Sequence, residues 1–278
     1  MKRFIARAYI WLLLILLYAP ILFIAVFSFT ESKVLGNWTG FSFRLYANLA
    51  GPGNLDSGST LTSAIQNTLV IALIASVVST LLGTIAAIGI FNLHGRKRKA
   101  IQFMNNIPMI NPDIITGVSL FLLFVFLHMT QGYTSVTLAH ITFCTPYVVL
   151  SVLPKMAQMN PDIYDAALDL GATPGQALRK VLVPQLYPGM ISGFILAFTM
   201  SLDDFAVTFF TRGTIGLNTL STYIYSDARK GGLTPELRPL MTIIFLIILI
   251  LLIVINLRQA HLAQKEEKKK WKSHLLGL

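Results

Sequence analysis

Asn160-Pro-Asp-Ile-Tyr-Asp-Ala-Ala-Leu-Asp-Leu-Gly-Ala-Thr-Pro-Gly-Gln-Ala-Leu-Arg-Lys-Val-Leu-Val-Pro184 is a polar island between apolar runs. Its spacing predicts two short helices joined by a sharp bend, exposed where a partner can grip them. Asn160 is a good N-cap, and Pro161 suits the first helical position. Asp162 and Asp165 fall near the partly positive N-terminal end of that helix. Ile163, Ala166, Ala167 and Leu170 recur at helical spacing, so one face is apolar. Gly171 stops the helix. Thr173 and Pro174 repeat the cap-plus-proline signal, and Leu178, Val181 and Leu182 share one face of the second helix. Pro184 and Pro188 are expected to end it before the next apolar run.

The surroundings of this island are membrane-like. Of 278 residues, 54% are hydrophobic and only 12% charged, where a soluble domain carries about a quarter charged residues. Six apolar runs are long enough to cross a bilayer, at about 20 residues each: 8–29, 64–91, 101–129, 135–153, 188–210 and 239–257. The first run is too long for a signal-peptide core, and no A-x-A site follows it, so it reads as an uncleaved first helix. The expected organisation is one transmembrane domain over 1–278, with a loop at 154–187 and a basic tail at 258–278.

Net charge is +10, a balance that nucleic-acid binders share. Here the Lys and Arg residues gather beside the apolar runs, as membrane orientation requires, so no nucleic-acid partner is expected. With the N-terminus inside, the inner segments hold 16 of the 22 basic residues. Both termini and the Asp165 loop are therefore expected on the cytoplasmic side.

The first outer loop, 31–63, is rich in Gly, Ser and Asn, with a turn at Gly51-Pro-Gly-Asn. Its Trp38, Phe41, Phe43 and Tyr46 suit either the membrane interface or a docking surface. Pro108 and Pro112 interrupt the third run, and Asn111-Pro112-Asp113 repeats the helix-start signal. Such a break is tolerated where backbone meets protein or a water-lined cavity.

No G-x-x-x-x-G-K-[ST], G-x-S-x-G or H-E-x-x-H pattern occurs. No catalytic constellation is visible, and neither cofactor nor metal is expected in this chain. The lone Cys144 excludes an internal disulfide and reads as a small buried side chain. The five histidines lack ligand spacing and read as interfacial or solvated. What remains is acid inside the membrane: Asp113 in the third run, Asp203 and Asp204 in the fifth. A carboxylate at the bilayer centre costs about 2.5–3.5 kcal/mol even on insertion scales. Adjacent residues point about 100° apart on a helix, so Asp203 and Asp204 face differently. On a continuous helix Asp204 shares a stripe with Ser201, Thr208 and Thr211, one wall of a polar path. The alternative is that an acid caps a helix, as Asp113 is placed to do after Pro112, or pairs with a basic residue of a partner.

The island resembles the cytoplasmic "EAA" loop of ABC-importer permeases. The match runs through Asp165-Ala166-Ala167, Gly171, Val181 and Val183-Pro184, with Asp165 for the usual Glu and Val183 for Leu. Three further segments look like the permeases of spermidine/putrescine importers: Phe198-Thr-Met-Ser-Leu-Asp-Asp-Phe, Asn111-Pro-Asp-Ile-Ile and His140-Ile-Thr-Phe-Cys-Thr-Pro-Tyr-Val-Val. The resemblance spans nearly the whole chain. It implies an all-α polytopic membrane protein of the type I importer fold, with six transmembrane helices and a coupling loop between helices 4 and 5. It implies that Asp165, Ala166, Ala167, Leu170, Gly171, Val181 and Pro184 serve ATPase coupling, while the intramembrane acids and the polar stripe put Asp203, Asp204, Asp113, Ser201 and Thr208 on the expected substrate path. It implies a heterodimer with a second permease, an ATPase dimer carrying ATP and Mg²⁺, an extracytoplasmic polyamine-binding protein, and a bacterial cytoplasmic membrane. A polyamine needs carboxylates for its ammonium groups and rings for cation–π contact, for which Phe205, Phe209 and Phe210 are at hand. The alternatives are an importer of another substrate, and a stand-alone cation channel or proton-coupled carrier, which would use the same acids and need no ATPase.

Overall fold

In a bilayer an apolar run has one simple backbone solution, a helix that bonds its own N–H and C=O groups. The computed structural model describes residues 2–50, 58–160, 162–214, 217–230, 234–250 and 253, and no strand occurs among them. The helices are α1 (Lys2–Phe27), α2 (Arg44–Ala50), α3 (Gly58–Asn92), α4 (Gly95–Ile110), α5 (Asp113–Phe126), α6 (Tyr133–Ala157), α7 (Asp162–Asp169), α8 (Pro174–Ala177), α9 (Val183–Asp203), α10 (Ala206–Thr211) and α11 (Leu220–Ala228). A further apolar helix, α12, covers Leu237–Ile250. The Gly51 turn, Pro161, the end of the sixth run and the basic tail lie outside the described residues.

Four stretches among the described residues are long and apolar enough to cross a membrane: Tyr9–Phe27, Leu61–Asn92, Tyr133–Ala157 and Pro174–Asp203. The pair α4 and α5 makes a fifth if counted as one span, bent by 105°. Pro108 sits inside α4, and the bend falls at Asn111-Pro112, the restart signal read from the sequence.

The chain divides into two compact units, residues 56–225 and residues 1–55 with 226–278. In the larger unit α3, α6 and α9 form the packed centre, around Ala87, Phe143, Val148, Val152, Leu186 and Ala197. Small residues let these helices approach, since lipid offers no hydrophobic drive between them. A Cβ built on Gly83 would lie 2.6 Å from Val148 Cβ. Gly83→Ala is therefore expected to lower stability by about 1–3 kcal/mol, read as a reduced unfolding midpoint of the purified protein in detergent. An unchanged midpoint would mean that α3 and α6 separate without cost. The buried hydroxyls of α3 are satisfied within the helix: Thr68 donates to Ala64 O, Thr80 to Ser76 O and Thr84 to Thr80 O.

In the smaller unit, the rings of Phe29, Phe41, Phe43 and Tyr46 pack together at centroid distances of 5.0–6.2 Å, two pairs stacked and three edge-on. Arg238 is fully buried. It donates to Ser32 O at 2.8 Å and Lys33 O at 3.0 Å. That clamp ties the segment after α1 to the start of α12, and is a structural use of the charge.

The expectation that Pro184 and Pro188 end the second loop helix is corrected: the helix runs from Pro174 to Asp203. A proline ring collides with the carbonyl four residues back, here that of Lys180. A π turn at Leu178–Leu182 precedes the ring, and Val183 N–H donates to Leu178 O. The wider turn gives the ring room, and the helix continues.

Candidate functional site

The polar island folds as its caps dictate. Asn160 Oδ1 accepts from Asp162 N–H at 3.0 Å and starts α7. At the other end Gly171 takes φ +86°. Ala172 N–H reaches back to Ala167 O and Gly171 N–H to Leu168 O, the paired bonds of a Schellman stop. Thr173 then forms a capping box with Gln176, through Gln176 N–H to Thr173 Oγ1 and Thr173 N–H to Gln176 Oε1. Ala166 is exposed and Leu170 is 89% exposed. An apolar residue so bare at the end of a helix is free for a partner. Ala167 and Val181 are half-buried and Pro184 is exposed. Asp165 and Ile163 border a cavity of about 650 Å³ shared with Phe91, Asn92 and Met156.

The carboxylates sit at two breaks in the helices. Asp113 opens α5 directly after Pro112. The fifth run is not continuous: α9 ends at Asp203 and α10 begins at Ala206. This corrects the stripe expected on an unbroken helix. Asp204 caps α10 from outside it. Its Oδ1 accepts from Val207 N–H at 3.1 Å, and its Oδ2 from Thr208 N–H and Thr208 Oγ1, both at 2.8 Å. Ser221 Oγ donates to Asp204 O at 2.6 Å and fastens α11 to the break. Asp204→Ala leaves three donors without their acceptor. A loss of about 1–3 kcal/mol is expected, measured as lower thermal stability and yield; wild-type stability would show that water replaces the carboxylate at no cost.

Asp113, Asp203 and Asp204 line one cleft of about 660 Å³. Asp203 is exposed, whereas the Asp204 side chain is only 5% exposed and lies at the cleft's floor. Phe143, Phe205, Phe209, Phe210 and Tyr225 supply aromatic walls, and among the described residues no Lys or Arg lines the cleft. Phe205 and Tyr225 approach to 4.7 Å between centroids. Phe209 carries the Arg212 guanidinium 5.3 Å from its centroid, so a ring beside the cleft already holds a cation.

Ser201 and Thr208, expected on the path, are buried behind the cleft around His140. His140 is itself fully buried, which corrects its reading as interfacial or solvated. Its Nδ1 lies 2.6 Å from Ser201 Oγ and its Nε2 2.9 Å from Thr208 Oγ1. Nε2 is also 3.4 Å from Asp204 Oδ2. The one available signal was position: His140 stands in the middle of an apolar run, where a polar ring needs partners. Tyr225 was also missed, since nothing local marks it as facing the acids. Cys144 is buried, as read from the sequence.

A bent helix pair, a capped helix–turn–helix and acids gathered at helix breaks describe a membrane transport subunit. Residues 79–268 match the family described as "Binding-protein-dependent transport system inner membrane component", and the chain belongs to that family of multi-pass membrane permeases. It is 39% identical to the putrescine transport system permease protein PotI of Escherichia coli K12, over 82% of this chain and 81% of that one. It is 34% identical to the spermidine/putrescine transport system permease protein PotC of Haemophilus influenzae, over 89% and 93% of the two chains. Among solved structures, the fold matches a bacterial ABC transporter involved in alginate import with TM-score 0.64 at 14% identity, covering 93% of this chain and 95% of that one. An amino acid ABC transporter matches with TM-score 0.50 at 16% identity, over 77% and 98%. The fold is that of a type I importer permease.

Proposed function

We propose that this chain is the permease subunit of an ATP-driven polyamine importer of the bacterial cytoplasmic membrane. The observation that carries the reading is the cleft, where three carboxylates and five aromatic side chains meet with no Lys or Arg among the described lining residues. An ammonium group finds charge-assisted acceptors there, and the methylenes between ammonium groups find rings. An anion would meet three carboxylates and no Lys or Arg among the described lining residues. The names of the similar permeases, for putrescine and for spermidine and putrescine, point to the same substrate class.

In this reading the chain pairs with a second permease, and an extracytoplasmic binding protein delivers the substrate. ATP and Mg²⁺ act on a separate ATPase dimer, which grips α7 and α8. The exposed Ala166 and Leu170 would enter a groove of the ATPase, a helix-in-groove contact. The clustering of basic residues beside the inner ends of the spans supports cytoplasmic termini and a cytoplasmic loop. ATP binding would bias the permease pair between inward- and outward-open states by gripping one state more tightly.

The test is uptake of labelled spermidine and putrescine by vesicles holding the reconstituted complex with its binding protein. Accumulation that requires ATP hydrolysis is expected. Accumulation by the chain without the ATPase would favour a carrier, and an assembled, ATP-hydrolysing complex that moves neither amine would overturn the polyamine assignment.

A further inference from the structure

The fifth run breaks between Asp203 and Ala206 without a proline or glycine in the gap. Something other than backbone chemistry must hold the two halves in register. His140, on the neighbouring helix α6, reaches both. Its Nδ1 meets Ser201 at the end of α9 and its Nε2 meets Thr208 in α10. The direction of these bonds follows from counting hydrogens. Thr208 Oγ1 has one hydrogen and donates it to Asp204 Oδ2. Thr208 therefore accepts from His140, and Nε2 carries a hydrogen. Of the polar atoms around Nδ1, Ser201 Oγ is within bonding distance. A chain of bonds thus runs from Ser201 through His140 and Thr208 to the Asp204 carboxylate, with all three of the first residues buried.

We infer that His140 is a positioning residue: it latches the two halves of the broken span, and so fixes where the adjacent Asp203 presents its carboxylate to the cleft. His140 touches no substrate. It is bound on both nitrogens and lies at 0% exposure behind Asp204. The same helix pairing is repeated one turn further along, where Cys144 Sγ donates to Ala197 O at 3.4 Å. His140 and Cys144 are four residues apart on α6, as Ala197 and Ser201 are on α9, so the two bonds form consecutive rungs. The lone cysteine of the chain is a built-in reporter of the latch. The transport arm of the test takes the cleft as a polyamine site and so rests on the reading above; the thiol arm does not.

The experiment compares His140→Ala, His140→Gln, Ser201→Ala and the His140→Ala/Ser201→Ala pair in the reconstituted complex. Two quantities are read: labelled spermidine taken up per ATP hydrolysed, and the rate at which N-ethylmaleimide modifies Cys144 in the membrane-embedded chain. For His140→Ala, about a tenfold fall in uptake per ATP and about a tenfold faster modification are expected, the scale set by removing one buried hydrogen-bonding group. His140→Gln keeps a donor and an acceptor and is expected within about threefold of wild type. The double variant is expected to be no worse than His140→Ala alone, because both remove one network. Wild-type uptake and wild-type modification in His140→Ala would overturn the latch, as would equal losses in Gln and Ala. Should His140→Ala fail to assemble, Ser201→Ala decides: it breaks one rung end, and unchanged uptake and modification would overturn the inference. If wild type moves no spermidine yet His140→Ala exposes Cys144, the latch stands and only the polyamine reading falls.

Discussion

Asp203→Asn is expected to cut spermidine uptake about thirtyfold, which is about 2 kcal/mol, the scale of one hydrogen bond to a charged group. The substitution is nearly isosteric and leaves hydrogen-bonding capacity, so only the charge is withdrawn. Asp203 is the exposed member of the adjacent pair, whereas Asp204 spends its oxygens on Val207 and Thr208. Its loss should therefore not disturb the cap of α10, and the complex should still assemble with its ATPase. The measurement is initial uptake by proteoliposomes containing equal amounts of assembled complex. Uptake equal to wild type would remove Asp203 from the path and leave Asp113 as the exposed acid of the cleft. A parallel loss of assembly would point to a structural role, which its exposure argues against.

The second large effect is expected at Gly171. Nothing lies within 4 Å of a Cβ built there, so space is not the constraint; the φ of +86° is. Proline holds φ near −65° and has no N–H, so Gly171→Pro loses both the turn and the bond to Leu168 O. α7 would then leave its angle to α8, and in the proposed complex the face bearing Ala166 and Leu170 would miss the ATPase groove. Uptake is expected to fall about tenfold or more, since a strained or rebuilt turn of this kind costs about 1–3 kcal/mol, while the amount of chain in the membrane stays unchanged. Gly171→Ala provides the graded comparison. Its left-handed backbone costs about 1–2 kcal/mol without losing the N–H, so it should retain more uptake than Gly171→Pro. Equal, full uptake by both variants would show that the bend between α7 and α8 is not used in coupling.

Features written into short local signals were legible from the sequence. The stop at Gly171, the cap-plus-proline start at Thr173-Pro174 and the break at Asn111-Pro112-Asp113 each depend on residues within a few positions of each other. The features missed depend on partners far along the chain or on compensation. His140 finds Ser201 and Thr208 at separations of 61 and 68 residues, and no local pattern announces them. The end of α9 carries no helix breaker; the Asp204 carboxylate instead takes the N–H groups of Val207 and Thr208, and this side-chain competition with the helix ladder leaves little local trace. Pro184 misled in the opposite direction, because a π turn absorbs its ring. The three carboxylates were found by their cost in a membrane, but their meeting in one cleft follows from two separate helix breaks.

The unbroken passage through Pro184 has a mechanical consequence. The stretch from Pro174 to Asp203 is 30 residues long, about 45 Å at 1.5 Å per residue. One end is a capped foot beside the bend at Gly171; the other ends at the carboxylate facing the cleft. A stiff strut of this kind delivers a shove at its foot to its tip without any chain of small side-chain adjustments in between. The π turn near the foot is a compliant joint, able to take up twist by shortening or widening one ring of hydrogen bonds. In the proposed importer, stroke at the loop end and aim at the cleft end would then be two motions of one lever.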